Sequence, residues 1–229
     1  TPPSSGSFLY TGRIDFTNPD APCFINPGSS VAFRFHGNNA MMKLKNYHSC
    51  YYNYIGVVID GQVQEKIEIT EHGTELILPV CAGLACADHE VVLYKCQDAS
   101  HYYDFLGLYL DQGARMLPPP PRPSRRMECY GDSVSAGEVC EALGHIGKAD
   151  PENHDGVYSN AWYSYAFLTA RKLNAELHDI AQGGIALLNG TGYFHGPDYV
   201  GMESTWDKLR YCDYFGAPTP WDFSRYTPH

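Results

Sequence analysis

The sequence predicts two dissimilar halves: an all-β sandwich over residues 1–118 and, beyond a proline connector at 119–123, an α/β portion over 124–229. Three observations predict it. Short runs rich in Val, Ile, Tyr and Phe, punctuated by Gly, Pro, Asn and Asp, fill the first half. Four consecutive prolines, Pro118 to Pro121, interrupt the chain. After them the pattern becomes strand, helix, strand, the opening of an α/β sheet.

In the first half the runs are SFLYTGRIDF, SSVAFRFHG, MMKLKNY, YNYIGVVIDG, EKIEITEHGTELILPV, HEVVLYKCQ and DFLGLYLDQGARML. Several alternate apolar with polar, as in Val31-Ala32-Phe33-Arg34-Phe35, the period of a half-buried strand. Prolines lack the N–H a ladder needs and cannot enter a helix interior, so LPPPPRPSRR reads as a stiff extended connector. Beyond it RRMECY is a short strand. The stretch Ser159 to Ala175 predicts a helix with a Ser or Asn cap and an apolar stripe through Trp162, Tyr165, Ala166, Thr169 and Leu173. AELHDIAQGG then predicts a strand running into a glycine turn.

The 229 residues carry a formal charge of -10, which argues against nucleic acid, since phosphate binding needs a positive surface. No apolar run is long enough to span a bilayer. TPPSSGSF shows no signal peptide, so the start reads as a mature end or a boundary of expression. Eight cysteines, an even number, lean towards an oxidising setting, with Cys81 and Cys86 as the pair best placed to bridge. Cys129, inside a strand, reads as a buried thiol.

The stretch MECYGDSVSAGEVCEA, Met127 to Ala142, admits two readings. One is a tight strand-to-helix turn presenting Ser133 as a nucleophile, with its own backbone N–H as an oxyanion donor. The other is an ordinary turn in which Asp or Ser caps a helix. A nucleophilic serine needs an exposed rigid position, a base, and N–H groups waiting for the oxyanion. The second glycine turn, Gln182-Gly183-Gly184-Ile185, follows the next strand. In a parallel sheet both turns emerge at one carboxyl edge, where such folds bind ligands. Gly184 N–H would then be a second donor, with no Cβ obstructing the approach.

With both turns in view the chain resembles the SGNH, or GDSL-type, hydrolase superfamily, and more closely the two-domain carbohydrate esterases of family two. YTGRIDF, PGSSVAFRFHG, YIGVVIDG, HEVVLYKCQDA and FLGLYLDQGARMLPPPPRPSRRMECYGDSVSAGE carry the likeness in order. It implies a jelly-roll sandwich followed by a flavodoxin-like three-layer SGNH domain. It makes Ser133 the nucleophile and Ser133 and Gly184 N–H the oxyanion hole, with Asp132 ordering the turn. It implies a secreted acetyl xylan esterase-like enzyme that removes O-acetyl groups from xylan or glucomannan through an acetyl-enzyme, without metal or organic cofactor. PWDFSRYTPH, at the end of the sequence, resembles the segment before the third family block. That block, Gly-x-Asn-Asp, and the fifth, Asp-x-x-His, have no match. The 106 residues after the seam therefore read as part of a domain needing on the order of 100 more. The base would lie on the remainder of the polypeptide or on a second chain. The rival reading is a carbohydrate-binding protein that uses the sandwich and a non-catalytic cleft; action on small acyl esters or lipids has little support in the composition.

Other clusters are set aside. Cys81, Cys86, His89 and Cys96 depart from zinc-finger spacing, and His89 reads as a strand residue with Val91 and Leu93 facing the core. Glu138, Glu141, His145, Asp150, His154 and Asp155 read as a solvated loop, with His145 or His154 as surrogate bases should the chain prove complete. His178 reads as structural, His195 as a loop residue. Tyr193, Phe194, Trp206, Tyr211, Tyr214, Phe215 and Trp221 suit sugar stacking as a set, core packing one by one. Asn189 opens a glycosylation sequon, Asn-Gly-Thr.

Overall fold

A computed structural model describes residues 1–212, 214 and 216–225. Its first half consists of β1 (Phe8–Thr11), β2 (Ile14–Asp15), β3 (Cys23–Phe24), β4 (Ser30–Gly37), β5 (Ala40–His48), β6 (Asn53–Ile59), β7 (Gln62–Val63), β8 (Ile67–Ile69), β9 (Glu75–Cys81), β10 (Ala87–Lys95), β11 (His101–Leu110) and β12 (Arg115–Leu117). These form two antiparallel sheets. One runs β1-β4-β10-β6-β7, with β12 also on β4 and β8 also on β6; the other runs β2-β3-β11-β5-β9.

Alternation decides which side chains meet between the sheets. Val31, Phe33 and Phe35 of β4 are fully buried. Val91 and Leu93 of β10 lie opposite Phe33 and Val31 on one flank and opposite Ile59 and Val57 on the other. From the second sheet Met42, Leu44, Tyr103 and Phe105 enter the same cluster, and Phe24 stacks on Tyr103 with ring centroids 4.7 Å apart. A register shift between Phe105 and Gly107 bends β11.

Past the prolines come β13 (Arg125–Gly131), α1 (Ser133–Ala136), α2 (Tyr165–Leu173) and β14 (Ala175–Ala181), then a small antiparallel pair, β15 (Lys208–Arg210) and β16 (Thr219–Pro220). β13 and β14 are parallel, in register from Arg125↔Ala175 to Gly131↔Ala181. The proline stretch is tied down: Arg122 pairs with buried Glu176 and bonds the Tyr10 carbonyl at 3.0 Å.

The helix predicted from Ser159 begins later. Ala161–Tyr163 forms a 3-10 turn capped by Asn160, and Ser164 then caps α2 by accepting from Phe167 N. Its buried face is Ala166, Phe167 and Ala170, whereas Tyr165 and Leu173 of the expected stripe are about half exposed. The helix starts only after the second cap, so of the stripe counted from Trp162 Ala166 is buried in α2, while Tyr165, Thr169 and Leu173 face outward.

α2 sits against the sandwich at a position only glycine permits. A Cβ on Gly28, whose φ is +66°, would lie 1.7 Å from Phe167 Cζ. Gly28→Ala combines that overlap with left-handed strain and is expected to cost about 2–4 kcal/mol, read as a lower urea midpoint.

The expected Cys81–Cys86 bridge does not form, and all eight cysteines are thiols. Cys81 points into the sandwich core, while exposed Cys86 turns to His36, its Sγ 3.8 Å from Nε2. Cys129 is half-buried against α2.

Candidate active site

β13 ends at Gly131 and β14 at Ala181, directly paired, so the turns that follow them leave the same edge of the parallel pair. On the first turn Asp132 caps α1, its carboxylate accepting from Val134 N at 2.9 Å. Ser133 is the first residue of this single-turn helix and is half-exposed. No side chain among the described residues hydrogen-bonds its hydroxyl.

The second turn has an instructive pattern of amides. Gln182 N donates to Gly131 O at 3.2 Å and Ile185 N to Gln182 O at 3.3 Å. Gly183 N donates to Asp98 Oδ2 at 2.9 Å. Gly184 O accepts from Tyr193 N at 2.7 Å and Phe194 N at 3.0 Å. Of these four consecutive amides, only Gly184 N–H has no acceptor among the described residues. Gly184 has φ +76°, in the left-handed region. A groove of about 200 Å³, lined by Tyr130, Gly131, Asp132, Ile185, Ala186, Leu187 and Met202, runs between the two turns.

Below the second turn lies a cavity of about 220 Å³ whose lining includes Asp98, His101, Glu138, Gln182, Gly183 and His195. Glu138 thus departs from the solvated-loop expectation: it lines the cavity with its carboxyl in hydrogen-bonding reach of Asp98. Burial first, and then the Asp98 charge, pushes Glu138 up to about 9. Burial alone would raise Asp98 too, but His101, Glu138 and Lys95 together hold it below the usual carboxylate range. The two shifts run in opposite directions, Glu138 favouring its protonated form and Asp98 its charged one. Burial brings Lys95 down to about 7 while its ammonium reaches the carbonyls of Gln97 and Asp98.

The sign of the pH effect follows from the raised carboxyl. Folded Glu138 keeps a proton that the unfolded chain releases near its ordinary value, so its contribution to stability declines as pH rises from about 4.5 towards 9. Glu138→Gln, which cannot titrate, is expected to gain stability relative to the parent between pH 5 and 8. Paired denaturant titrations across that range check this.

Glu141 also turns inward, to Lys66 Nζ at 2.5 Å and Asn160 Nδ2 at 2.8 Å, whereas His145 and Asp150 are exposed and His154 is half-buried. The zinc candidates are held apart. His89 shares hydrogen bonds with Asp60 and the Ala85 carbonyl, Cys96 packs with Tyr54 and Tyr94, and no metal-holding cluster of three or more His, Cys, Asp or Glu occurs among the described residues. His178 is buried beside Glu128, 3.6 Å away. The aromatic set divides: Phe194 and Tyr211 are core, Tyr193 is 89% exposed at the cavity rim, and Phe215 lies outside the described residues, as do 226–229. The Asn189 amide is engaged, donating to Ser204 Oγ at 2.8 Å and accepting from Gly201 N at 2.8 Å.

Residues 10–120 match the family model Carbohydrate esterase 2 N-terminal. Two curated relatives share the chain's length to different extents. Cellulase/esterase CelE of Acetivibrio thermocellus is 32% identical over 222 residues, covering 96% of this chain and 25% of that protein. The acetylxylan esterase / glucomannan deacetylase of Cellvibrio japonicus is 27% identical over 215 residues, covering 87% and 56%. Among solved structures, a family two carbohydrate esterase from Clostridium thermocellum in complex with cellohexaose superposes with a TM-score of 0.80 at 30% identity, over 96% of this chain and 63% of that one. The chain thus spans a quarter to just over half of these curated relatives.

Proposed function

We propose that this chain, whose residues 10–120 match the N-terminal model of the family-two carbohydrate esterases, is a member of that family and contributes the nucleophile and two oxyanion donors of a secreted serine esterase acting on acetylated plant cell-wall polysaccharide. The observation that carries this reading is the pairing, at a common sheet edge, of a half-exposed Ser133 hydroxyl with Gly184 N–H, the amide of the 182–185 turn that, like that hydroxyl, has no hydrogen-bond partner among the described residues.

The chemistry runs as an acyl transfer. Ser133 Oγ attacks the acetyl carbonyl while a base removes its proton. The carbonyl π pair moves onto oxygen, where Ser133 N–H and Gly184 N–H receive it. Collapse of the tetrahedral intermediate expels the sugar oxygen, which takes the proton from the base. Water then attacks the acetyl-enzyme by the same steps in reverse order and releases acetate. By its likeness to the SGNH hydrolases, the portion after the prolines supplies the nucleophile turn and the glycine turn of such a site, which a third oxyanion donor and a histidine base complete. The acetylxylan esterase / glucomannan deacetylase relative and the cellohexaose complex of the solved one support a β-linked polysaccharide as substrate.

The test is brief exposure of the full-length protein to p-nitrophenyl acetate, followed by acid quench and peptide mapping. An acetyl group on the Ser133 peptide is expected. Turnover with acetyl on another residue would end the assignment. Binding of oligosaccharide with no turnover in the full-length protein would favour the non-catalytic reading.

A further inference from the structure

We infer that Asp98, carried by the sandwich, is a positioning residue for the esterase reaction: its carboxylate clamps the Gln182–Gly183 turn and so aims the Gly184 N–H. This inference rests on the reading of Ser133 and Gly184 given above. Asp98 lies between β10 and β11 and is 5% exposed. Its Oδ2 accepts from Gly183 N at 2.9 Å and from Gln182 Nε2 at 2.5 Å. Its Oδ1 accepts from Ser100 N at 3.0 Å and lies 3.3 Å from His101 Nδ1. Ser100 Oγ takes a second bond from Gln182 Nε2, at 3.1 Å.

The turn needs such a clamp. Two successive glycines impose little backbone preference of their own, and rotation about the Gly183–Gly184 segment would swing the Gly184 N–H away from any substrate. The structure fixes it from both sides. Asp98 holds the Gly183 amide, and the backbone of Tyr193 and Phe194 holds the Gly184 carbonyl. The Asp98 backbone is itself fixed, its carbonyl accepting from Lys95 Nζ. A carboxylate accepts two donors on one oxygen more strongly than a neutral amide does, and it presents no N–H that would oppose Gly183.

Asp98→Asn in the full-length protein tests this. Asn fills the same volume, but offers one acceptor oxygen in place of two. An oxyanion donor removed outright costs about 10²–10³ in kcat; one merely misaimed is expected to cost about tenfold to a hundredfold, with KM within about threefold. A boronic acid that forms a tetrahedral adduct on serine should weaken in proportion to kcat/KM, and an unacetylated oligosaccharide should bind unchanged. Amide hydrogen exchange over 182–185 should accelerate locally. A folded Asp98→Asn protein with parental kcat and parental exchange overturns the inference, as does a loss confined to KM. Should Asp98→Asn fail to fold, Gln182→Leu removes the other half of the clamp and is judged by the same readouts. Ser133→Ala run in parallel separates the two claims. If it retains turnover, the assignment of Ser133 fails; if it is inactive while Asp98→Asn is fully active, the clamp alone fails.

Discussion

Ser133→Ala in the full-length protein is expected to lower kcat on acetylated polysaccharide by about 10⁴–10⁶, the cost seen when a hydroxyl nucleophile is removed and only oxyanion donors and binding remain. The size follows from the chemistry: no described neighbour can take over the attack. Ser135, two residues on, is buried at 1% exposure and its hydroxyl is engaged with Tyr165 OH at 2.6 Å. The substitution removes one oxygen from a half-exposed position, leaving Asp132 to cap α1, so the thermal midpoint should hardly move. Initial rates of acetate release, parent against variant, check the loss. Amide hydrogen exchange over 131–136, measured on both proteins, should be equal; faster exchange in the variant would mean that the turn had collapsed.

Arg13→Met is expected to produce the largest change in stability, about 3–5 kcal/mol, because it strips one partner from a buried ion pair and leaves the other charge uncompensated. Arg13 is fully buried, 3.2 Å from Glu128 Oε1, and donates to the carbonyls of Trp206 at 2.6 Å and Lys208 at 3.0 Å and to Tyr130 OH at 2.9 Å. Its guanidinium lies over the rings of Tyr130, Trp221 and Phe223 at 5.2–5.5 Å. One side chain from the sandwich thereby binds β13 and the segment around β15 and β16. Burial pushes Glu128 up, but bonds from His178, Tyr130 and Arg13 outweigh it and leave the carboxyl below its ordinary value. Removing Arg13 takes away one of those bonds. Arg13→Lys should recover only a small part, since an ammonium cannot reach so many acceptors in the geometry of a planar fork. Urea unfolding of the three proteins measures this, and equal midpoints would refute it.

The sandwich was legible because its information is local. Val31, Phe33 and Phe35 alternate along one strand, and Val91 and Leu93 along another, and each pair of neighbours declares its own face. The two turns were legible for a similar reason: each closes a short apolar run. The buried carboxyls beneath them, Asp98 and Glu138, were not. Asp98 sits in an unremarkable polar loop, and its partners lie 84 and 85 residues away. Glu138 opens a stretch that is mostly solvated, so composition gave it the character of its neighbours. A buried polar contact leaves no period in the sequence; only the close approach of two distant loops creates it. The start of α2 misled for a different reason. Ser159, Asn160 and Ser164 all have capping chemistry, and which of them caps the long helix depends on Asn160 first taking a bond from Trp162 N at 3.1 Å. The Cys81–Cys86 expectation treated short spacing as proximity, whereas the loop between them turns one thiol inward and the other out.

Recombination at the prolines would part the Phe167 ring from the Gly28 backbone that receives it, and a foreign sheet with any other residue at that point would have no room for the helix. The two halves are accordingly expected to descend together through duplication and fusion, as one heritable block rather than as interchangeable modules.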